Sequence, residues 1–346
     1  MTDTAVDAPH AAGGHRANGR RGRRGRMFGL LGCGVLLAVP STLLVVRLTG
    51  LDAGTPLAVP VVLFPYGTVL SVLVLIAMLA VPALRPRWVA VAVVALLTAA
   101  QVTLLVPRFV PRQPHAPAQA AELRVATLNA HVGRADPRAL VRLVKTERID
   151  VLAVEELPSD GIAALAEAGL DRLLPYQELR PENDSSIYSR IPLARGGPLD
   201  ADTAWPQTTA DVKVGGRTVR LVAVHTYYPL GDAKRWTRDM TALASVARNS
   251  GPDTVFLGDF NASLDHAPMR ELLASGLTDT HAELGRGWGR TWPVGMTLVP
   301  PVIQLDHVLH GSGLVGVSVT ERTVPGTDHR AVVAVLALLP SAERAG

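Results

Sequence analysis

Cysteine is almost missing from this chain: Cys33 is the single one in 346 residues. A disulfide-stapled scaffold is therefore excluded, and any folded part must be held by its own apolar core. Lysine is nearly as scarce, with Lys145, Lys213 and Lys234 among 34 basic residues, and aromatic residues make up only 4%. Charged residues reach just 18%, against 48% hydrophobic, which excludes a disordered chain. No repeat recurs at the period of a solenoid. The length allows two or three domains, and a mean hydropathy of +0.24 is high for a soluble enzyme. The charge is uneven. Residues 1–120 hold 11 arginines against 3 aspartates, whereas residues 121–346 hold 23 basic and 27 acidic side chains. The rear two-thirds thus lacks the cationic excess with which a duplex-DNA binder neutralises phosphates.

Long hydrophobic runs are present, and all lie in the front third. Residues 1–26 form a basic tail ending in Arg20, Arg21, Arg23, Arg24 and Arg26. It reads as a cytoplasmic flank under the positive-inside rule, with a nucleic-acid-binding arm as the alternative. The apolar stretches Phe28–Leu48, Leu57–Val81 and Trp88–Val106 follow. About 20 helical residues cross a bilayer core, so residues 27–107 are expected to form a three-helix transmembrane anchor. A signal peptide competes for the first stretch, which holds Cys33. Arg85 and Arg87 place the second loop on the inner side, so the third span delivers the rest of the chain outside; Arg108 and Arg112 count against that orientation. Residues 108–121 are rich in Pro and Ala and read as a semi-rigid linker, leaving a domain over 122–340. The spans carry no acid or base except Arg47 near one end, which disfavours a transport path.

That domain alternates short apolar strands with polar residues. Strands are expected at Leu123–Leu128, Asp150–Val154, Ser186–Tyr188, Arg220–Val224, Thr254–Leu257, Val302–Leu305 and Ala331–Leu338, and helices at Pro137–Arg148 and Arg235–Ala247. Runs of Val, Leu and Ala without polar alternation belong to strands covered on both faces. They repeatedly end in Asn129, Glu155-Glu156, His225, Asp259 or Asp306, and the last expected strand starts just after Asp328-His329. Layered α/β proteins bind ligands at such strand ends. The expected architecture is α/β, with sheets packed inside helices and one polar pocket.

The pieces TLNAH at 127–131, DVLAVEE at 150–156, VHTYYP at 224–229, GDFN at 258–261, LDHV at 305–308 and TDH at 327–329 resemble the endonuclease/exonuclease/phosphatase superfamily, in the family's order. Deoxyribonuclease, apurinic endonucleases, sphingomyelinases and inositol-polyphosphate phosphatases belong to it. The resemblance implies a four-layered α/β sandwich over about 122–340. It also implies a phosphoester hydrolase that uses Mg²⁺, with Mn²⁺ as an alternative. The chemistry agrees, because an anionic phosphoester needs charge neutralisation, an activated water and help for the leaving group, and a hard divalent ion takes oxygen ligands.

By resemblance Glu156 is the main metal carboxylate, with Asn129 and Asp306 or Asp328 completing the shell. Asp259 orients or activates the attacking water, and Asn261, two residues on along an extended segment, faces the same way and bonds a phosphate oxygen. His329 is the essential histidine, partnered by Asp306, and acts as base or as phosphate stabiliser. His225 serves near the leaving oxygen. Asn129 and His131 are further phosphate contacts, although His131 stands where nucleases often carry Asp or Asn, and holding metal or capping a turn stand as its alternative roles. Glu155 stands where Gln is commoner, and His307 should point away. Plain structural readings stand beside these: a strand-end carboxylate for Glu156, an Asx turn for Asp259, a satisfied structural imidazole for His329 or His225, loop residues for Tyr227, Tyr228, Arg235 and Arg238, and packing for Trp292 against a base platform or lipid contact. A nucleic acid, a phospholipid and a small phosphate ester all fit as substrate. A non-catalytic membrane-bound binding module on the same fold is the non-enzymatic reading.

Overall fold

Strand formation follows the apolar runs. The computed structural model describes residues 32, 34–80, 88–112 and 116–340. The basic tail and Cys33 lie outside these. Twelve strands form two six-stranded mixed sheets. One holds β1 (Glu122–Asn129), β2 (Val151–Glu155), β3 (Tyr176–Glu178), β4 (Ser185–Ser189), β11 (Leu314–Thr323) and β12 (Arg330–Leu338), in the order β11-β12-β1-β2-β4-β3. The other holds β5 (Leu193–Pro198), β6 (Thr208–Val214), β7 (Arg217–His225), β8 (Thr254–Asp259), β9 (Thr278–Asp279) and β10 (Asp306–His310), in the order β5-β6-β7-β8-β10-β9.

Side chains alternate across each sheet. Leu123, Val125, Val151 and Ala153 meet Leu221, Ala223, Val255 and Leu257 in a core between the sheets. Leu128, Leu152 and Val154 turn outward onto Leu140, Val144 and Leu165 of the flanking helices. On the far side Val222, Val224 and Phe256 pack on Trp236, Met240 and Leu243 of the helix Pro229–Arg248. Helix, sheet, sheet and helix layers result, as expected.

Each sheet contains one parallel pair joined by a crossover helix. β1 pairs with β2 and places Asn129 opposite Glu155; β7 pairs with β8 and places His225 opposite Asp259. Asp306 opens β10 directly across from Asp259. These three registers assemble the polar pocket.

Two expectations need correction. Val302–Leu305 is not a strand: Ile303 makes only an isolated bridge to Trp292, and the strand starts at Asp306. The Thr291 hydroxyl accepts from the Leu305 and Asp306 amides and delays the ladder until that point. The second helix starts at Pro229, ahead of Arg235, because a proline suits a first helical position and the chain bends at Asp232 inside it.

The apolar front third is helical over Gly34–Thr49, Phe64–Ala80 and Trp88–Leu105, the last continued by a 3₁₀ turn to Phe109. Among the described residues only Trp88–Phe109, 22 residues, is long and apolar enough to cross a membrane, so the expectation of three spans is reduced to one candidate. The outer ends of the other two expected spans fall on residues outside the description. Residues of Gly32–Val45 and Phe64–Leu104 form one compact unit, in which Leu43, Leu44 and Phe64 pack with Leu97 and Leu104. The remainder forms a second unit.

That second unit includes Val46–Leu63, the stretch between the first two helices. Arg47 donates to the Asp265 carboxylate at 2.8 Å, and Arg108 grips the same carboxylate through two bonds of 2.8 and 3.0 Å. Asp52 accepts from the Ala267 amide, and the His266 ring bonds the Ala58 carbonyl. Burial lowers the His266 pKa, keeping that ring neutral. Arg108, one of the two arginines that count against the loop-charge orientation, thus has a fixed partner on the domain. The start of the expected linker is seated on the domain through Arg108.

Candidate active site

The pocket sits where β1, β2, β7, β8 and β10 end or begin, and its cavity measures about 310 Å³. Asn129, Glu156, His225, Asp259, Asn261 and His329 line it. Six of the nine residues expected at the site therefore meet at one cavity, and Asp306 lies buried beside it, bonded to His329.

Asn129 is the hub. Its amide nitrogen donates to Glu156 at 3.0 Å and to Asp259 at 3.1 Å. Its carbonyl oxygen accepts from the His131 amide, so ligation of a metal by Asn129 requires the amide turned over. Glu156 has left-handed backbone, φ 51°, just past the end of β2, which swings its side chain into the cavity. Its second oxygen accepts from the Val132 amide.

Asp259 and Asn261 combine two readings. The chain leaves its strand after Asp259, and Asn261 is left-handed at φ 47°, so the two do not share an extended segment. One Asp259 oxygen accepts from the Asn261 amide, an Asx turn. The other lies 3.7 Å from His329 Nε2 and 4.0 Å from His225 Nε2. Both residues still line the cavity.

His329 Nδ1 bonds Asp306 at 2.8 Å. Burial works against its charged form, but Asp306 and Asp259 outweigh burial and push its pKa up to about 10, so it is a cation at neutral pH. His225 Nδ1 bonds Asp184 at 2.8 Å, leaving Nε2 toward Glu156 and Asp259. Burial opposes its charge too, and Asp184 and Asp259 raise its pKa. Burial raises the Asp259 pKa against the pull of His329. Glu155 is sealed beneath, bonded to Thr127, and burial raises its pKa well above the ordinary range, favouring the neutral form.

Two expected residues stand elsewhere. Asp328 contacts His131 at 3.3 Å and the Trp292 ring nitrogen at 3.3 Å, and it does not line the cavity. It is withdrawn from the metal set, because its carboxylate is engaged at the rim and acts on His329 only through its charge. His131 is half-buried beside it and outside the lining as well. His307 points away, bonded to Asp279 and the Ala262 carbonyl.

Asp184 escaped the sequence reading. It sits left-handed, φ 62°, in the turn before β4, and no strand end marks it. It fixes the tautomer of His225. Asp184→Asn is expected to lower kcat/KM by about 10- to 100-fold, since small misplacements of a reacting group cost that much; steady-state kinetics on the full chain checks this.

The donor set suits a hard divalent cation. Asp259, Asp306 and His329 bring their side-chain atoms within 4.8 Å of one another, and of these the two carboxylates are the donors while His329 is protonated. One Asp306 oxygen is buried without a partner. Glu156 brings a third carboxylate into the same cavity. Oxygen-rich, net-negative sites of this kind favour hard divalent cations.

The chain belongs to the endonuclease/exonuclease/phosphatase family, whose model matches residues 126–329. Among solved structures, D. rerio TDP2 complexed with single-strand DNA product is similar at TM-score 0.53 and 17% identity, over 62% of this chain and 98% of that one. A humanized D. rerio TDP2 carrying 14 mutations gives 0.52 and 15% over the same shares. Sphingomyelinase C from Streptomyces griseocarneus gives 0.44 and 18%, over 62% and 99%. At these identities the likeness is one of fold. No curated protein sequence matches the chain.

Proposed function

We propose that this chain is a membrane-tethered, divalent-metal-dependent phosphodiesterase of nuclease type. The observation that carries the reading is the convergence of Glu156, Asp259, Asp306, His225 and His329 on one cavity although up to 173 positions separate them in sequence. The fold family consists of phosphoester hydrolases, and the TDP2 structure holds a DNA product.

Glu156 would hold the metal ion, with Asp306 as the neighbouring oxygen donor; when bound, it supplies positive charge that offsets the phosphoryl oxygens. The chain's own residues do the rest. His329, a cation locked in place by Asp306, balances charge on the phosphoryl group. Asp259 presents a buried carboxylate oxygen that accepts a proton from the attacking water. His225, oriented by Asp184, delivers a proton toward the leaving oxygen. Asn261 bonds the Thr226 carbonyl through its amide nitrogen, which fixes the amide at the cavity wall for a phosphate oxygen.

Full chain in detergent, given Mg²⁺ and a panel of bis(p-nitrophenyl) phosphate, oligonucleotide, sphingomyelin and inositol phosphates, is expected to turn over the diesters. EDTA is expected to reduce the rate to background, and Mg²⁺ or Mn²⁺ to restore it. Undiminished turnover in EDTA overturns the metal-dependent reading.

The tether is proposed as three spans with the domain outside the cell, although among the described residues only Trp88–Phe109 meets the length of a span by itself. Val46–Leu63 and the segment after the third helix share the Asp265 carboxylate, which supports reading both on one side of a bilayer. That agrees with two crossings between them. Thr218 is exposed on the domain. T218C in a C33S background is expected to react with a membrane-impermeant maleimide in intact cells, and labelling only after lysis reverses the orientation.

A further inference from the structure

The wall of the cavity next to His225 continues outward as a run of stacked rings that the reaction does not use. Trp205 stacks on the His225 imidazole, with centroids 4.9 Å apart and planes within 21°. Tyr227 follows at 5.2 Å, and the Arg235 guanidinium lies over the Tyr227 ring at 4.6 Å. Tyr228 stacks on Tyr227 at 4.7 Å and 12°. Tyr227 covers one face of Tyr228, yet the residue is 44% exposed and lines the cavity, so the Tyr228 ring offers surface to a ligand there. Gly231 makes room for the pair: a Cβ on it would lie 2.6 Å from the Tyr228 ring and 2.9 Å from the Tyr227 ring.

The run ends at a second cavity, of about 290 Å³, lined by Arg235, Arg238, Asp239, Asp202, Thr203 and Ala204. Asp239 is committed elsewhere, each oxygen accepting from a backbone amide, that of Ala204 or of Tyr227, at 2.8 Å. Among the described residues neither Arg235 nor Arg238 has an ion pair within 4 Å, although the Asp239 charge acts on both and Asp202 shares the lining; the Arg235 guanidinium donates to the Ala204 carbonyl at 3.4 Å. The open Tyr228 ring on the catalytic cavity and the arginine-lined second cavity are thus linked through Tyr227, which Tyr228 stacks on and Arg235 covers. A phospholipid head group has one phosphodiester and then flexible aliphatic chains. A single nucleic-acid strand alternates planar base and phosphate, and aromatic side chains bind its bases by stacking.

We infer that the substrate is single-stranded nucleic acid, with one base stacked on Tyr228 and the next phosphate held by Arg235 and Arg238. The inference rests on the phosphodiesterase reading of the adjacent site and deepens it to a substrate class and two subsites. The lack of a net cationic excess over residues 121–346, which disfavours duplex binding, is compatible with a short strand gripped at few points.

The test measures binding of a fluorescein-labelled thymidine oligonucleotide to the full chain by anisotropy, in EDTA, across a salt series. R235Q/R238Q is expected to weaken binding about tenfold and to flatten the log K against log salt slope by about 0.7, the share of one phosphate on a single strand. Y228L is expected to weaken binding about tenfold with the slope unchanged, because stacking carries no counterion release. G231A, which displaces the same rings, is expected to follow Y228L. A strand of abasic sites is expected to lose the Y228L effect and keep the arginine effect. A general structural defect would not separate affinity from slope in this way. Equal binding by wild type and both variants overturns the inference, as does a wild type that hydrolyses vesicle phospholipid and binds no oligonucleotide. Hydrolysis of bis(p-nitrophenyl) phosphate without oligonucleotide binding defeats the inference and leaves the phosphodiesterase reading standing. Absence of hydrolysis on every substrate defeats that reading, while the binding data still decide the subsites.

Discussion

Replacing His329 by alanine is expected to lower kcat about 10³-fold, the middle of the range for a positioned acid–base or charge-stabilising group. The reason lies in what surrounds the ring. His329 is 6% exposed, Asp306 holds Nδ1, and Nε2 faces Asp259 across 3.7 Å at the cavity. No other cation among the lining residues is so placed; His225 points its free nitrogen toward Glu156 and Asp259 from the opposite strand. Alanine also leaves Asp306 and Asp259 without their positive neighbour, so some loss of stability accompanies the loss of rate. H329Q separates the two effects, since it fills the volume and keeps a donor but no charge. It is expected to retain the fold by circular dichroism and still lose about 10²-fold in kcat. A drop in KM-dependent rate alone, with kcat intact, would assign His329 to binding and remove it from the chemical step.

The site was legible because its residues sit at the ends of runs that could only be buried strands. Asn129, His225 and Asp259 are the last residues of β1, β7 and β8, and Asp306 is the first of β10, so strand register alone brings them together. Glu156 was legible for the same reason, one residue beyond β2. What stayed hidden has no such marker. Asp184 sits in a turn between two strands of different lengths, and only the tertiary approach of β7 brings it to His225. Asp328 was misplaced because adjacency to His329 in sequence does not mean adjacency in space: the backbone turns it to His131 and Trp292. Strand β6 alternates Ala210, Val212 and Val214 with Asp211 and Lys213, unlike the unbroken apolar runs that marked the others, and β11 changes register between Gly316 and Ser318. The seating of Val46–Leu63 on the domain was the least legible feature. Arg47 and Asp265 are 218 residues apart, and a lone arginine at the end of an apolar run is read by default as a membrane flank.

That seating makes the second large prediction. Asp265→Ala is expected to cost about 3–5 kcal/mol, the effect of removing one partner from a buried ion pair. Asp265 is 1% exposed, and its two arginines, Arg47 and Arg108, are 9% exposed, so solvent does little to replace the missing charge. Both guanidiniums would be left buried side by side, with Arg270 close by on the Arg47 carbonyl. Val46–Leu63 then loses its main anchor and is expected to become cleavable by trypsin in the native protein, at Arg47, while wild type resists. Asp265→Asn keeps the shape and should cost less.

The pH dependence follows from the same cluster. Burial alone would raise the Asp265 pKa, but Arg108 and Arg47 outweigh it and hold the carboxyl below its ordinary value. A carboxyl depressed in the folded state stabilises fully above its unfolded pKa of about 4 and loses that contribution as pH falls through the lower folded value. Wild-type full chain should therefore lose stability on acidification below about pH 4, and Asp265→Asn should show a shallower acid slope from a lower plateau. Thermal unfolding in detergent between neutral and acid pH reads both. Parallel slopes for the two proteins, or wild-type trypsin resistance in Asp265→Ala, would show that the Val46–Leu63 segment is held by its apolar contacts, such as Ala58 in the core beneath Trp236, and that the charge cluster adds nothing.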